Sequence, residues 1–112
     1  MLPSTLIIHL GTNGRATDGM IDAIMTEAGP KTQVYFLTAR VPRLWETEVN
    51  DTLHESAKRW KNMHVLEWRD YSGCHDDWFV NDGFHLRTNG QAGYANLVLN
   101  GLKGVYLHTC KK

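Results

Sequence analysis

At 112 residues, 42% hydrophobic and 21% charged, the chain is long enough for one small globular core and too short for two. Twelve Lys and Arg balance twelve Asp and Glu, and no basic stripe is interleaved with aromatics, so nothing in the charge favours nucleic acid as a partner. The longest early apolar run, Leu6-Ile7-Ile8, is broken by His9, closed by Gly11 and preceded by no basic segment, which reads as neither a signal peptide nor a membrane span.

Residues 5–10 predict a buried strand that ends in Gly11-Thr12-Asn13-Gly14, a loop whose glycines permit tight turns. Thr17 or Asp18 then caps a helix with Met20, Ile21, Ile24, Met25 and Ala28 on its buried face, stopped by Gly29-Pro30. Residues 33–37 are apolar enough for a strand covered on both faces, so the unit is β-α-β and the pair parallel. A loop at 38–43 holds Arg40, Pro42 and Arg43. A long amphipathic helix follows, with Trp45, Val49, Leu53, Ala57 and Trp60 about four apart.

Residues 63–68 predict the third strand, and 69–81 an irregular segment rich in Gly, Asp and Trp. Thr88 opens the last helix in a capping box with Gln91, and Ala92, Ala95, Val98, Leu99 and Leu102 form its buried stripe. In the tail at 103–112 a short strand is expected at 105–107. The fold class is therefore α/β, a three-layer α/β/α arrangement around a parallel sheet of about three strands. In such sheets ligands bind beyond the carboxyl ends of the strands. The loops beginning at Gly11, Thr38 and Arg69 share that rim, and the third leads on to His85, so Asn13 and His85 are expected to face one another across a cleft.

The chemistry concentrates in Asn81-Asp82-Gly83-Phe84-His85-Leu86. An Asp and a His three apart around a Gly fit one tight turn. The Asp82 carboxylate would hold Nδ1 of His85 and leave Nε2 to take a proton from a nucleophile. The same residues also describe a turn-capping Asp beside an ordinary histidine, and Asn13 alone describes a turn residue between glycines. Cys74 and Cys110 can pair or stay free and belong to no CxxC. Cys74, His75, Asp76, Asp77, Asp82 and His85 are metal-ligand types in a short span, without a recognised zinc spacing.

Taken together, HLGTNG, LTARVPRLWETEVN, EWRDYSGCHDDWF and NDGFHLRTNGQAGYANLV resemble the SGNH or GDSL-like hydrolase superfamily. The likeness is narrowest to the extracytoplasmic SGNH domain of fused acyltransferases such as peptidoglycan O-acetyltransferases. It runs from about Leu6 to Leu102. It implies that Asn13 donates to an oxyanion hole beside Gly11 and Gly14, that Asp82 orients His85, and that His85 is general base and then acid. It further implies an acetylated carbohydrate or other acyl ester as substrate, no cofactor and a place outside the cytoplasm. Arg40 and Arg43 are candidates for attracting an anionic or sugar substrate, and Trp78 and Phe79 for walling an acyl pocket. Solvated loop arginines and core aromatics are the plainer readings of the same four residues.

The family's Gly-Asp-Ser block, which carries its nucleophile, is absent. Met1 stands just before the strand that resembles the family's third, so residues 1–112 correspond to the C-terminal portion of one SGNH-like domain. Ser4, Ser56 and Ser72 do not match the nucleophile position, and Cys74 is the remaining alternative. The chain is therefore expected to be inactive alone. The strand at 6–10 becomes an exposed sheet edge, to be covered by self-association or by a separate N-terminal half that brings the serine. A non-catalytic module that binds carbohydrate or a partner is the competing reading.

Overall fold

Three short apolar runs build the sheet. In the computed structural model, which describes residues 4–110, β1 (Thr5–His9), β2 (Gln33–Leu37) and β3 (Met63–Leu66) lie parallel in the order β1-β2-β3. The register aligns Ile7 with Tyr35 and Tyr35 with His64. Alternation along β2 sends Val34 and Phe36 to one face and Tyr35 and Leu37 to the other, and each face has its own core. On the first face, α1 (Asp18–Ala28) and α2 (Glu46–Ala57) bring Ile21, Met25, Val49 and Leu53 onto Val34 and Phe36. On the second, α3 (Trp68–Tyr71) and α4 (Thr88–Leu102) bring Trp68 and Leu97 onto Tyr35, Leu37 and Leu66, together with Phe79. This is the predicted three-layer α/β architecture. Among the described residues no helix is long and apolar enough to cross a membrane.

Local chemistry explains where the elements stop. The Thr17 hydroxyl accepts from the Met20 amide at 3.2 Å and starts α1, while Gly29, at φ +83°, donates back to the Met25 carbonyl at 3.1 Å and ends it. Met20, expected in the buried stripe, is 45% exposed because it lies on the first turn, beyond the sheet's cover. β3 ends at Leu66, not at residue 68. The Leu66 carbonyl accepts the Thr38 amide at 2.9 Å, the Thr38 hydroxyl takes the Arg69 amide at 2.9 Å, and the chain leaves the sheet into α3.

The start of α4 also differs. Thr88 is its first helical residue and Arg87 its cap, with no side-chain capping bond. The Gln91 amide bonds the Arg87 carbonyl at 2.9 Å, so no capping box forms. The buried stripe is Gly90, Gly93, Leu97 and Gly101, while Ala92, Ala95, Leu99 and Leu102 are exposed. Of the expected stripe only Val98 packs on the core. The glycines go inward because Trp78 and Leu66 occupy the space their side chains would fill. No strand forms at 105–107, and the last two positions of the expected tail lie outside the described residues.

A Cys74–Cys110 disulfide ties the segment after α3 to the tail beyond α4 across 36 positions. Chain-entropy loss in the unfolded state makes such a link worth about 2–4 kcal/mol. The tail it holds is largely exposed, so little packing is lost with it. Cys110→Ser is expected to lower unfolding stability by about 2–3 kcal/mol, with reductant reproducing the loss in the parent and adding nothing in the variant. Denaturant curves with and without reductant measure this, and coincident parent curves would contradict it.

β1 is an edge strand. Ile7 is 45% exposed, and Leu6 lines a hollow of about 340 Å³ with Ala23, Ile24 and Ala28 of α1.

Candidate active site

Because the strands are parallel, the segments leaving β1, β2 and β3 emerge on one rim. Gly11, at φ +97°, turns the chain beyond β1 in a space where a Cβ would meet Val49 Cγ1 at 2.9 Å and Ala39 Cβ at 3.0 Å, so glycine is required twice over. Its carbonyl accepts the Trp45 indole N–H at 2.6 Å. Beyond β2, the buried Asn50 side chain clamps Ala39 from both sides, accepting from its amide at 2.7 Å and donating to its carbonyl at 2.9 Å. That double bond fixes the following segment through Pro42. Pro42 in turn packs beneath Gly83, where a Cβ would lie 3.4 Å from Pro42 Cγ. Residues 39–45 thus touch both the loop that holds Asn13 and the turn that holds His85.

The turn itself is built from within. Gly83, at φ +82°, allows the chain to fold back, and its amide bonds the Val80 carbonyl at 3.0 Å. The Val80 amide bonds the His85 carbonyl at 2.9 Å, Phe79 and Leu86 form an antiparallel bridge, and the Arg87 amide reaches the Trp78 carbonyl at 2.8 Å. Inside this loop, Asp82 Oδ1 accepts from the Phe84 amide at 3.0 Å and the His85 amide at 2.9 Å, while Oδ2 pairs with His85 Nδ1.

Those bonds set the electrostatics. The His85 amide first, then the Phe84 amide and the His85 ring, hold the Asp82 carboxyl down at about 2, against an ordinary 3.8. An ionised carboxylate only accepts, so Nδ1 carries the proton and the basic lone pair of the neutral ring resides on Nε2. Nε2 makes no hydrogen bond among the described residues, and the His85 side chain is 71% exposed. Since the folded-state pKa is depressed, the turn's stabilisation is present above about pH 4 and is lost as pH falls through about 2. The Asp82 carboxyl carbon is accordingly expected to titrate near pH 2 by NMR, and a midpoint near 4 would mean that the two amide bonds do not hold in solution.

The other candidates divide. Asn13 is exposed on the loop beyond β1, in a hollow of about 270 Å³ that it shares with His9, Thr12 and Arg15. Gly14 adjoins it, with no atom near enough to crowd a Cβ. Arg40 is committed to holding the loop, donating to the Ser72 carbonyl at 2.7 Å and to Asp76 at 2.6 Å with its guanidinium 4.1 Å from the Phe79 ring centre. Phe79 is 5% exposed within the second core, and Trp78 packs on the glycine face of α4. Both occupy packing positions in place of an open acyl wall. Arg43 remains at the surface.

No hydroxyl or thiol stands against His85 among the described residues. Ser72 is fully buried and donates to the Trp68 carbonyl at 2.6 Å, Ser56 is buried in α2 and donates to Asp18, and Ser4 precedes β1 at the opposite end of the sheet. Cys74 is bonded to Cys110, which removes it as a nucleophile and as a metal ligand. Among the described residues no group of three His, Cys, Asp or Glu side chains could hold a metal ion.

One residue near the site escapes sequence reasoning. His9 ends β1 with Nδ1 3.1 Å from the Tyr94 hydroxyl, its ring stacked on Tyr94, and its buried Nε2 without a partner among the described residues. Burial lowers its pKa and keeps the ring neutral. The only signal in the sequence is a histidine ending an otherwise apolar strand.

No protein-family model matches the chain. Individual proteins do. A candidate O-acetyltransferase of Staphylococcus aureus (strain MSSA476) is 35% identical over 98 residues, 88% of this chain. The candidate peptidoglycan O-acetyltransferase YrhL of Bacillus subtilis (strain 168) is 33% identical over the same share, and O-acetyltransferase OatA of S. aureus (strain NCTC 8325 / PS 47) is 30% identical. The match spans only 15–16% of the length of these relatives. Over nearly all of its own length, the chain is thus related to one segment of the O-acetyltransferases.

Proposed function

We propose that this chain is the Asn- and His-bearing C-terminal portion of an SGNH-type acyl-ester hydrolase or O-acetyltransferase domain, working on an acetylated carbohydrate such as peptidoglycan. The observation that carries the reading is the Asp82–His85 turn on the carboxyl rim of a parallel sheet, with Nδ1 held by an ionised carboxylate and Nε2 open. In the reaction, Nε2 takes the proton of a serine hydroxyl as the serine oxygen attacks the acetyl carbonyl. The Asn13 side-chain N–H stabilises the tetrahedral oxyanion. The protonated His85 then gives its proton to the departing alkoxide, and the acetyl group passes from the serine to water or to a sugar hydroxyl.

The serine comes from outside residues 4–110. The open edge of β1, with the apolar hollow on the α1 side and Ile7 exposed on the other, suits one further parallel strand carrying it, supplied by a separate N-terminal half. The Cys74–Cys110 bond supports an oxidising location outside the cytoplasm. The absence of a hydroxyl beside His85 favours one competing reading, a module that binds carbohydrate without turning it over.

Reconstitution separates the two. The chain alone is expected to show no His85-dependent hydrolysis of p-nitrophenyl acetate, and to gain it when mixed with a polypeptide bearing the family's Gly-Asp-Ser strand. His85-dependent turnover by the chain alone would overturn the serine assignment. Inactivity of a pair shown to associate would favour the binding module.

A further inference from the structure

The cleft of about 640 Å³ between Arg15 and Arg43, floored by Pro42 and Trp45, has no carboxylate among its lining residues. Of the other arginines around this rim, Arg15 is neutralised by Glu48 at 3.1 Å, Arg40 by Asp76 at 2.6 Å and Arg69 by Glu46 at 2.8 Å, while Arg87 donates to the Phe79 carbonyl at 2.8 Å. Arg43 has no carboxylate partner among the described residues. Its one hydrogen bond goes to the neighbouring Pro42 carbonyl at 3.0 Å, and its guanidinium lies 5.7 Å from the Phe84 ring centre, next to His85. A guanidinium offers five N–H donors in a planar fork matched to a carboxylate, and most of these are free for a ligand.

The floor adds a second element of recognition. The Trp45 N–H is already spent on the Gly11 carbonyl, so what its ring offers a ligand is apolar surface, and Pro42 is wedged against Gly83. An apolar floor bordered by an unneutralised guanidinium matches a pyranose ring, whose C–H face is apolar, bearing a carboxylate at its edge. We propose that this cleft is a saccharide subsite selective for a carboxylate-bearing sugar, with Arg43 as its specificity-determining residue. It deepens the reading of the adjacent turn as the reaction centre and rests on that reading for its purpose, though its binding needs no nucleophile.

Isothermal titration of the intact chain with trigalacturonate, with neutral chitotriose and with sodium acetate tests the subsite. Trigalacturonate is expected to bind at least about tenfold more tightly than either of the others, with the preference shrinking in high salt. Arg43→Gln should remove most of that preference and Arg43→Lys part of it, while His85→Ala leaves it in place. Since Arg43 is exposed, an unchanged melting temperature shows that the variant remains folded. Equal binding of the neutral and anionic trisaccharides, or a preference untouched by Arg43→Gln, would overturn the proposal, as would acetate competing as well as trigalacturonate. None of these outcomes depends on ester turnover, so the reaction centre and the subsite can fail separately.

Discussion

His85→Ala is expected to lower p-nitrophenyl acetate turnover by the reconstituted pair by about 10³-fold or more, with Asp82→Asn causing a loss of comparable size. Removal of a positioned general base costs on the order of 10²–10⁴ in rate, and the upper part of that range applies where the base must also return its proton to the leaving group. The Asp82 effect follows from tautomer control. An ionised carboxylate forces the proton onto Nδ1, whereas an asparagine side chain can present its NH₂ there and leave the ring's hydrogen on Nε2, the nitrogen that must be bare. Asparagine keeps an oxygen to accept the Phe84 and His85 amides, so the turn should persist and the loss should be chemical. His85 is largely exposed and contributes little to packing, so its alanine variant should melt within a few degrees of the parent. Turnover within threefold of the parent in either variant would remove the pair from the mechanism.

The Asp82–His85 pair was legible in the sequence because everything that assembles it is local. A carboxylate, a glycine able to take positive φ and an imidazole within four positions close the turn without help from the rest of the chain. The sheet was legible for a different reason, since apolar density at 33–37 leaves few options for a segment covered on both faces. What was hidden depends on distant partners. Arg40 looked like a surface cation because nothing near it in the chain announces that Ser72 and Asp76 will claim its guanidinium. The α4 stripe was misplaced because the usual reading puts large residues inward. Here the large residue belongs to the neighbouring segment, and the helix makes room with glycines. The parallel topology led the Asn13 loop and the His85 turn to be expected on one rim, but the contacts that link them were hidden, because they run through Trp45, Asn50 and Pro42, none of which belongs to either motif.

Gly90→Ala is therefore expected to destabilise the protein by about 3–5 kcal/mol, against the usual sign of such a change. At an exposed helical position the substitution gains about 1 kcal/mol from helix propensity. At Gly90 the added methyl would lie far inside van der Waals contact distance of the Trp78 carbonyl oxygen and 2.9 Å from Trp78 Cβ. That oxygen is backbone and already accepts the Arg87 amide at 2.8 Å, so it cannot turn aside as a side chain would. Relief requires α4 and the Trp78 segment to part. Parting lifts the indole off Gly93, where ring atoms lie 2.5–2.9 Å from the Cβ position, and so forfeits much of the packing of a large aromatic, worth about 3–5 kcal/mol when lost outright. Because Trp78 and Phe79 also form one side of the loop that closes at His85, the displacement should reach the reaction centre. The expected signature is a large fall in the denaturation midpoint together with altered Phe84 and His85 amide shifts. Ala95 supplies the control, since it lies on the same helix but is exposed, and Ala95→Gly should cost only about 1 kcal/mol and leave those shifts in place. A Gly90→Ala protein as stable as the parent would mean that α4 does not rest on Trp78.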